Sequence, residues 1–103
     1  FPTNTADVGR VCRHVADYYR SAENAGSDLP RILQFTGDEA MTKWQIVNAF
    51  AEITGLPLEN MEAVRPQAEL GDGTVRPYDC QLDMSELREL GISVGSVGFR
   101  EWW

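Results

Sequence analysis

Apolar residues recur at steps of three and four positions near the start of the chain. The stripe consists of Val8, Val11, Cys12, Val15, Ala16 and Tyr19. This spacing places side chains on one face of a helix. Asn4 or Thr5 is a suitable N-cap, and Gly26 lies in a polar stretch that interrupts the pattern. The sequence therefore predicts an amphipathic helix over residues 5–22.

Two short apolar runs flank a second helical pattern. The run 31–35, Arg-Ile-Leu-Gln-Phe, ends at a Thr-Gly-Asp turn, and the run 61–65 precedes a proline. Both compositions predict strands. Between them, Thr42 is the expected N-cap of a helix that stops at Gly55. Strand, helix and strand in this order favour a right-handed crossover between two parallel strands.

The last third of the chain predicts a loop and two short helices. Residues 67–77 are polar and rich in Gly and Pro, which is typical of an exposed loop. Asp83 is the expected N-cap of a helix that ends at Gly91, with Glu86 at the capping-box spacing. Its inward-facing residues are Met84, Leu87 and Leu90. Residues 99–103 resemble the first turn of a truncated terminal helix. The predicted fold class is α/β, a small α-β-α-β-α domain with a short two-stranded parallel sheet.

Length and charge limit the possible functions. A chain of 103 residues with 43% hydrophobic content suits one small domain, and it is too short for a two-domain nucleotide-dependent enzyme. The net charge of -7 disfavours attraction to nucleic acid. No apolar run approaches the roughly 20 residues that cross a bilayer, and the N-terminus lacks a signal-peptide pattern. We expect a soluble cytoplasmic protein without nucleic-acid or membrane partners.

The residues that commonly carry catalysis or bind metals are sparse. His14 is the single histidine, and its place on the flank of the apolar stripe indicates a solvated side chain. Cys12 and Cys80 lack CxxC spacing, so we interpret them as reduced thiols and expect no metal site. The glycines of residues 91–98 follow a helix instead of opening one, unlike a dinucleotide-binding turn. No tyrosine has a lysine four positions later, because those positions hold Ala22, Glu23 and Leu82. We predict neither catalytic nor cofactor-binding residues in this chain.

Several stretches together resemble a known family. Residues 76–92 contain an Arg-Pro, Leu-Asp, Ser, Leu pattern. This pattern is similar to the C-terminal region of dTDP-4-dehydrorhamnose reductases, which are extended short-chain dehydrogenases/reductases, and of the related methionine adenosyltransferase regulatory beta subunits. Further agreements in order and spacing are Phe1-Pro2-Thr3 with Asp7-Val8, Phe35-Thr36-Gly37 with Glu39-Met41-Thr42-Lys43, and Leu56-Pro57. The Phe-Pro-Thr start, the Met-Thr-Lys helix entry and the Gln-Leu-Asp element look closer to the regulatory beta subunits.

The resemblance implies that residues 1–103 form a C-terminal substrate-binding segment. The NAD(P)-binding Rossmann domain and the catalytic Tyr-Lys pair would lie upstream in a longer parent, and that domain would be this segment's partner. The first functional hypothesis is the substrate-side lobe of an NAD(P)-dependent sugar-nucleotide reductase-like protein, an oxidoreductase, inactive as an isolated fragment. The alternative is a regulatory binding module that acts on a methionine adenosyltransferase catalytic subunit. A stand-alone interaction domain is a third possibility.

Arg76 and Gln81 are the candidate substrate-binding residues. A guanidinium group binds a phosphate oxyanion through two parallel hydrogen bonds, so Arg76 suits a nucleotide-sugar ligand, and the amide of Gln81 would reach the same cleft. Arg76 would alternatively pair with Asp79 or Asp83. Asp83 itself is interpreted first as an N-cap.

Apolar side chains outside the predicted core suggest self-association. Trp44 and Phe50 lie on a broad helical face, and Trp102 and Trp103 end the chain. Without a Rossmann domain these faces would be open. We expect the isolated chain to cover them by self-association, with possible exchange of the terminal helix.

Overall fold

The structure, a computed structural model, describes residues 1–21, 23–24, 26–64, 73 and 77–103. These residues contain the helices α1 (Thr5–Arg20), α2 (Lys43–Thr54), α3 (Ser85–Glu89) and α4 (Phe99–Trp102). The chain divides into two compact units. The first unit is Phe1–Ala40 with Gln81–Trp103, and the second is Met41–Cys80.

Helix α1 begins where its cap predicts. The side-chain oxygen of Asn4 accepts a hydrogen bond from the backbone N–H of Ala6 at 2.7 Å, which satisfies one of the free donors of the first turn. Asp7 in the first turn and Arg20 in the last complement the helix dipole. The prediction of a helix from Thr5 is confirmed, and the helix ends at Arg20.

Helix α2 in the second unit has both predicted ends. Thr42 Oγ1 accepts the backbone N–H of Gln45 at 3.1 Å, and Gln45 Oε1 accepts the N–H of Thr42 at 2.7 Å, which completes a capping box. Gly55 has a φ of 71°, a conformation that favours glycine, and its N–H donates to the carbonyl of Ala51. The prediction of Thr42 and Gly55 as caps is confirmed.

The α/β prediction is wrong, because none of the described residues forms a β-strand. A strand needs a backbone hydrogen-bonding partner. The backbone groups of residues 31–35 form no hydrogen bond with another described residue. Residues 61–64 lie in the second unit as irregular chain, and Val64 is 78% exposed, which does not fit a buried strand. Arg65 of the second predicted strand lies outside the described residues.

The core of the first unit joins α1, the segment 31–36 and α3. Val11, Leu87 and Ile92 are buried together, and partly buried neighbours pack against them. These neighbours are Val15, Tyr18, Leu33, Phe35, Leu90 and Val94. The inward orientation predicted for Met84 and Leu87 is confirmed, since both side chains are fully buried. Burial of apolar surface in this cluster drives the folding of the unit.

Helix α3 is capped differently from the prediction. Its N-cap is Met84, without a side-chain hydrogen bond, so the predicted capping box of Asp83 and Glu86 is wrong. Asp83 precedes the cap and instead accepts the N–H of Ser85 at 3.0 Å. Such a bond to the residue two positions later forms an Asx turn that leads into the helix. At the other end Gly91 adopts a φ of 72°, and the N–H of Ile92 donates to the carbonyl of Leu87.

Candidate binding site

The two residues predicted to bind substrate are not both within the described structure. Arg76, like most of the loop 67–77, lies outside the described residues. Gln81 is exposed at the start of the second stretch of the first unit. That Arg76 and Gln81 share an anion-binding cleft therefore stays a prediction.

Asp83, two residues after Gln81, interacts with its own helix. Its carboxylate accepts the backbone N–H of Ser85 at 3.0 Å and the Ser85 hydroxyl at 3.0 Å. These two hydrogen bonds, followed by the positive charge of Arg88, hold the pKa of the Asp83 carboxyl below its usual value of 3.8. Asp83 is thus a negatively charged structural residue at neutral pH and would not attract a phosphate group.

A buried carboxylate fixes the C-terminal segment against α1. Asp7 is buried, and its Oδ2 accepts the backbone N–H of Val97 at 2.8 Å. Its Oδ1 lies 3.2 Å from the guanidinium of Arg10. Arg10 donates in turn to the carbonyl of Ser93 at 2.9 Å and to that of Gly95. Since both charged groups are engaged by each other and by backbone, this pair serves structure and not acid-base chemistry.

Two further carboxylates hold the same segment. Asp38 Oδ2 accepts the N–H and the hydroxyl of Ser96, each at 3.3 Å. Glu39 Oε2 accepts the N–H of Phe99 at 2.8 Å, which satisfies a free donor at the start of α4. The backbone amides of Ser96, Val97 and Phe99 are therefore all directed to carboxylates. A dinucleotide phosphate would need such amides to be available, so this glycine-containing stretch does not fit an NAD(P) site.

The stretches that carry the family resemblance meet in the first unit. The N–H of Gly37 donates to Thr3 Oγ1 at 3.0 Å, and the N–H of Thr36 points to Met84 Sδ at 3.5 Å. The Phe-Thr-Gly stretch thus contacts both the Phe-Pro-Thr stretch and the Leu-Asp-Met-Ser element. Packing explains the residue types that these stretches share with the family. A sequence pattern alone does not distinguish residues kept for packing from residues that bind a ligand.

An open apolar groove runs along α1 in the first unit. Its volume is about 550 Å³. Its walls include Val8, Cys12, Ala16 and Tyr19 of α1, with Leu33 and Phe35 of the segment 31–36. The hydroxyl of Tyr19 donates to the carbonyl of Pro30 and joins the two walls. An apolar lining of this kind suits the binding of an apolar surface rather than catalysis.

The groove exists because the apolar stripe of α1 is wider than the core that covers it. Val11 is 4% exposed and sits in the core, whereas Val8 is 40% exposed and Cys12 and Ala16 are exposed. The sequence pattern placed these residues on one helical face and did not indicate how much of that face is buried. Six apolar positions lie on this helix, and the other elements predicted to cover them are short. This mismatch was the signal in the sequence that the apolar face would be only partly covered.

The remaining candidate groups form no catalytic or metal centre among the described residues. His14 is exposed, as predicted, and Cys12 and Cys80 are free thiols. No group of three or more His, Cys, Asp or Glu side chains in the described ranges could hold a metal ion. In the same part of the chain, no helix has the length and apolar character needed to cross a membrane.

The relatives found by comparison with known proteins all carry the same name. No protein-family model matches the sequence, and no solved structure gives a significant match. The chain is 37% identical over 100 residues to methionine adenosyltransferase 2 subunit beta of Danio rerio. The aligned residues cover 97% of this chain and 29% of that protein. It is 33% identical over 92 residues to the subunit of the same name from Pongo abelii (89% of this chain, 26% of that protein). For the subunit of the same name from Xenopus laevis, the identity is 32% over 104 residues, which cover 98% of this chain and 29% of that protein. The chain is thus homologous to methionine adenosyltransferase 2 beta subunits and spans less than a third of their length.

Proposed function

We propose that the chain belongs to a regulatory subunit of methionine adenosyltransferase and acts by binding the catalytic subunit. The observation that carries this proposal is identity of 37% across 97% of the chain to a protein named methionine adenosyltransferase 2 subunit beta. Identity distributed over nearly the whole chain favours a shared fold and a shared surface. A shared short motif would support much less.

The internal contacts also support a binding role. The polar groups of Asp7, Arg10, Asp38 and Glu39 are all engaged in holding residues 93–99. The exposed residues Val8, Cys12 and Ala16 of α1, which line the groove, are apolar instead. An accessible apolar surface beside engaged polar groups is typical of a protein that docks to another.

The first functional hypothesis, a substrate-side lobe of a sugar-nucleotide reductase, has less support. The relatives reported above are named as subunits of a methionine adenosyltransferase and not as reductases. If a longer gene product carries the expected Rossmann domain, Arg76 and Gln81 would be its nucleotide-sugar contacts, and the regulatory role would be exercised beside it.

Calorimetric titration of the folded chain into purified methionine adenosyltransferase catalytic subunit tests the proposal. We expect saturable binding with a fixed stoichiometry and a change in the KM or kcat of the catalytic subunit. The complete gene product, identified by its intact mass, is titrated in parallel because the chain covers only part of its relatives. Absence of binding by both samples contradicts the regulatory role. Reduction of a dTDP-4-dehydro sugar with NAD(P)H by the gene product would favour the reductase hypothesis instead.

A further inference from the structure

We draw no further inference here: the strongest candidate, the open apolar groove of the first unit that Val8, Cys12 and Ala16 of α1 line together with Leu33 and Phe35, carries nothing because nothing in the structure shows what covers it.

Discussion

At the residue scale, Gly37 permits a close approach of the backbone at Pro2. A Cβ atom at this position would lie 2.1 Å from the carbonyl oxygen of Pro2 and 3.2 Å from its carbonyl carbon. Both are backbone atoms, so the chain itself would have to move. Gly37→Ala should therefore lower the free energy of unfolding by about 1–3 kcal/mol, the usual cost of overpacking. Urea unfolding followed by tryptophan fluorescence measures this change.

Gly95 provides the matched control for Gly37. No atom lies within 4 Å of the position that its Cβ would occupy, and its φ is not in the left-handed region. Gly95→Ala should change the free energy of unfolding by less than about 0.5 kcal/mol. Equal effects of the two substitutions would mean that the contact between Gly37 and Pro2 does not constrain the fold.

The carboxyl of Asp83 gives a second test at this scale. Its hydrogen bonds from Ser85 lower the pKa, so NMR titration should give a midpoint below 3.8. A lowered pKa in the folded chain stabilises it at pH values above the unfolded pKa, and this contribution is lost as the pH falls through the folded pKa. Ser85→Ala removes the hydroxyl bond and should raise the midpoint, although the backbone bond remains. Ser96→Ala, which lies elsewhere, should not move it. An unchanged midpoint in Ser85→Ala would contradict this assignment.

At the scale of elements, Asp7 is the main polar link between α1 and the C-terminal segment. Asp7→Ala would leave the N–H of Val97 without its acceptor and would remove the carboxylate partner of Arg10, whose hydrogen bonds to the carbonyls of Ser93 and Gly95 remain. The expected loss is about 1–3 kcal/mol of unfolding free energy, measured by urea denaturation. Asp17→Ala in the same helix removes only an exposed ion pair and should cost less than about 1 kcal/mol. If both variants unfold at the same urea concentration, Asp7 does not hold this segment.

The elements that were predicted correctly are those whose signals are local. Asn4, Thr42 and Gly55 act within two to four residues of their own positions, so the sequence pattern contains the relevant interaction. Residues 31–35 have the composition of a strand, but a strand also needs a partner, and composition cannot supply one. Asp83 was assigned to the wrong cap position because both an Asx turn and an N-cap use an aspartate before a helix.

At the scale of the whole molecule, the features that the sequence did not predict depend on contacts between residues far apart in the chain. The hydrogen bond from Val97 to Asp7 joins residues separated by 90 positions, and that from Phe99 to Glu39 spans 60. Neither pair has a spacing that a motif search would recognise. The regulatory alternative came from the order of matched stretches, and the homology now favours it. The predicted contacts of Arg76 and Gln81 remain predictions, because Arg76 lies outside the described residues.

Exposed tryptophans lead to the prediction that the isolated chain self-associates. Trp102 is 48% exposed and Trp103 is 62% exposed, within the last turn of the chain, and the rings of Phe99 and Trp103 are 6.4 Å apart. Contiguous exposed aromatic surface favours association. Light scattering should therefore show the mass rising above 11.5 kDa as concentration increases.

A pair of serine variants locates the surface responsible. The double variant Trp102→Ser with Trp103→Ser should remain at the monomer mass over the same concentration range, because it removes the aromatic surface of the terminal turn. Tyr78→Ser removes a fully exposed aromatic ring in the second unit, and this variant should associate like the original chain. A strictly monomeric original chain would contradict self-association. Association that survives the double variant would place the contact on another face of the chain.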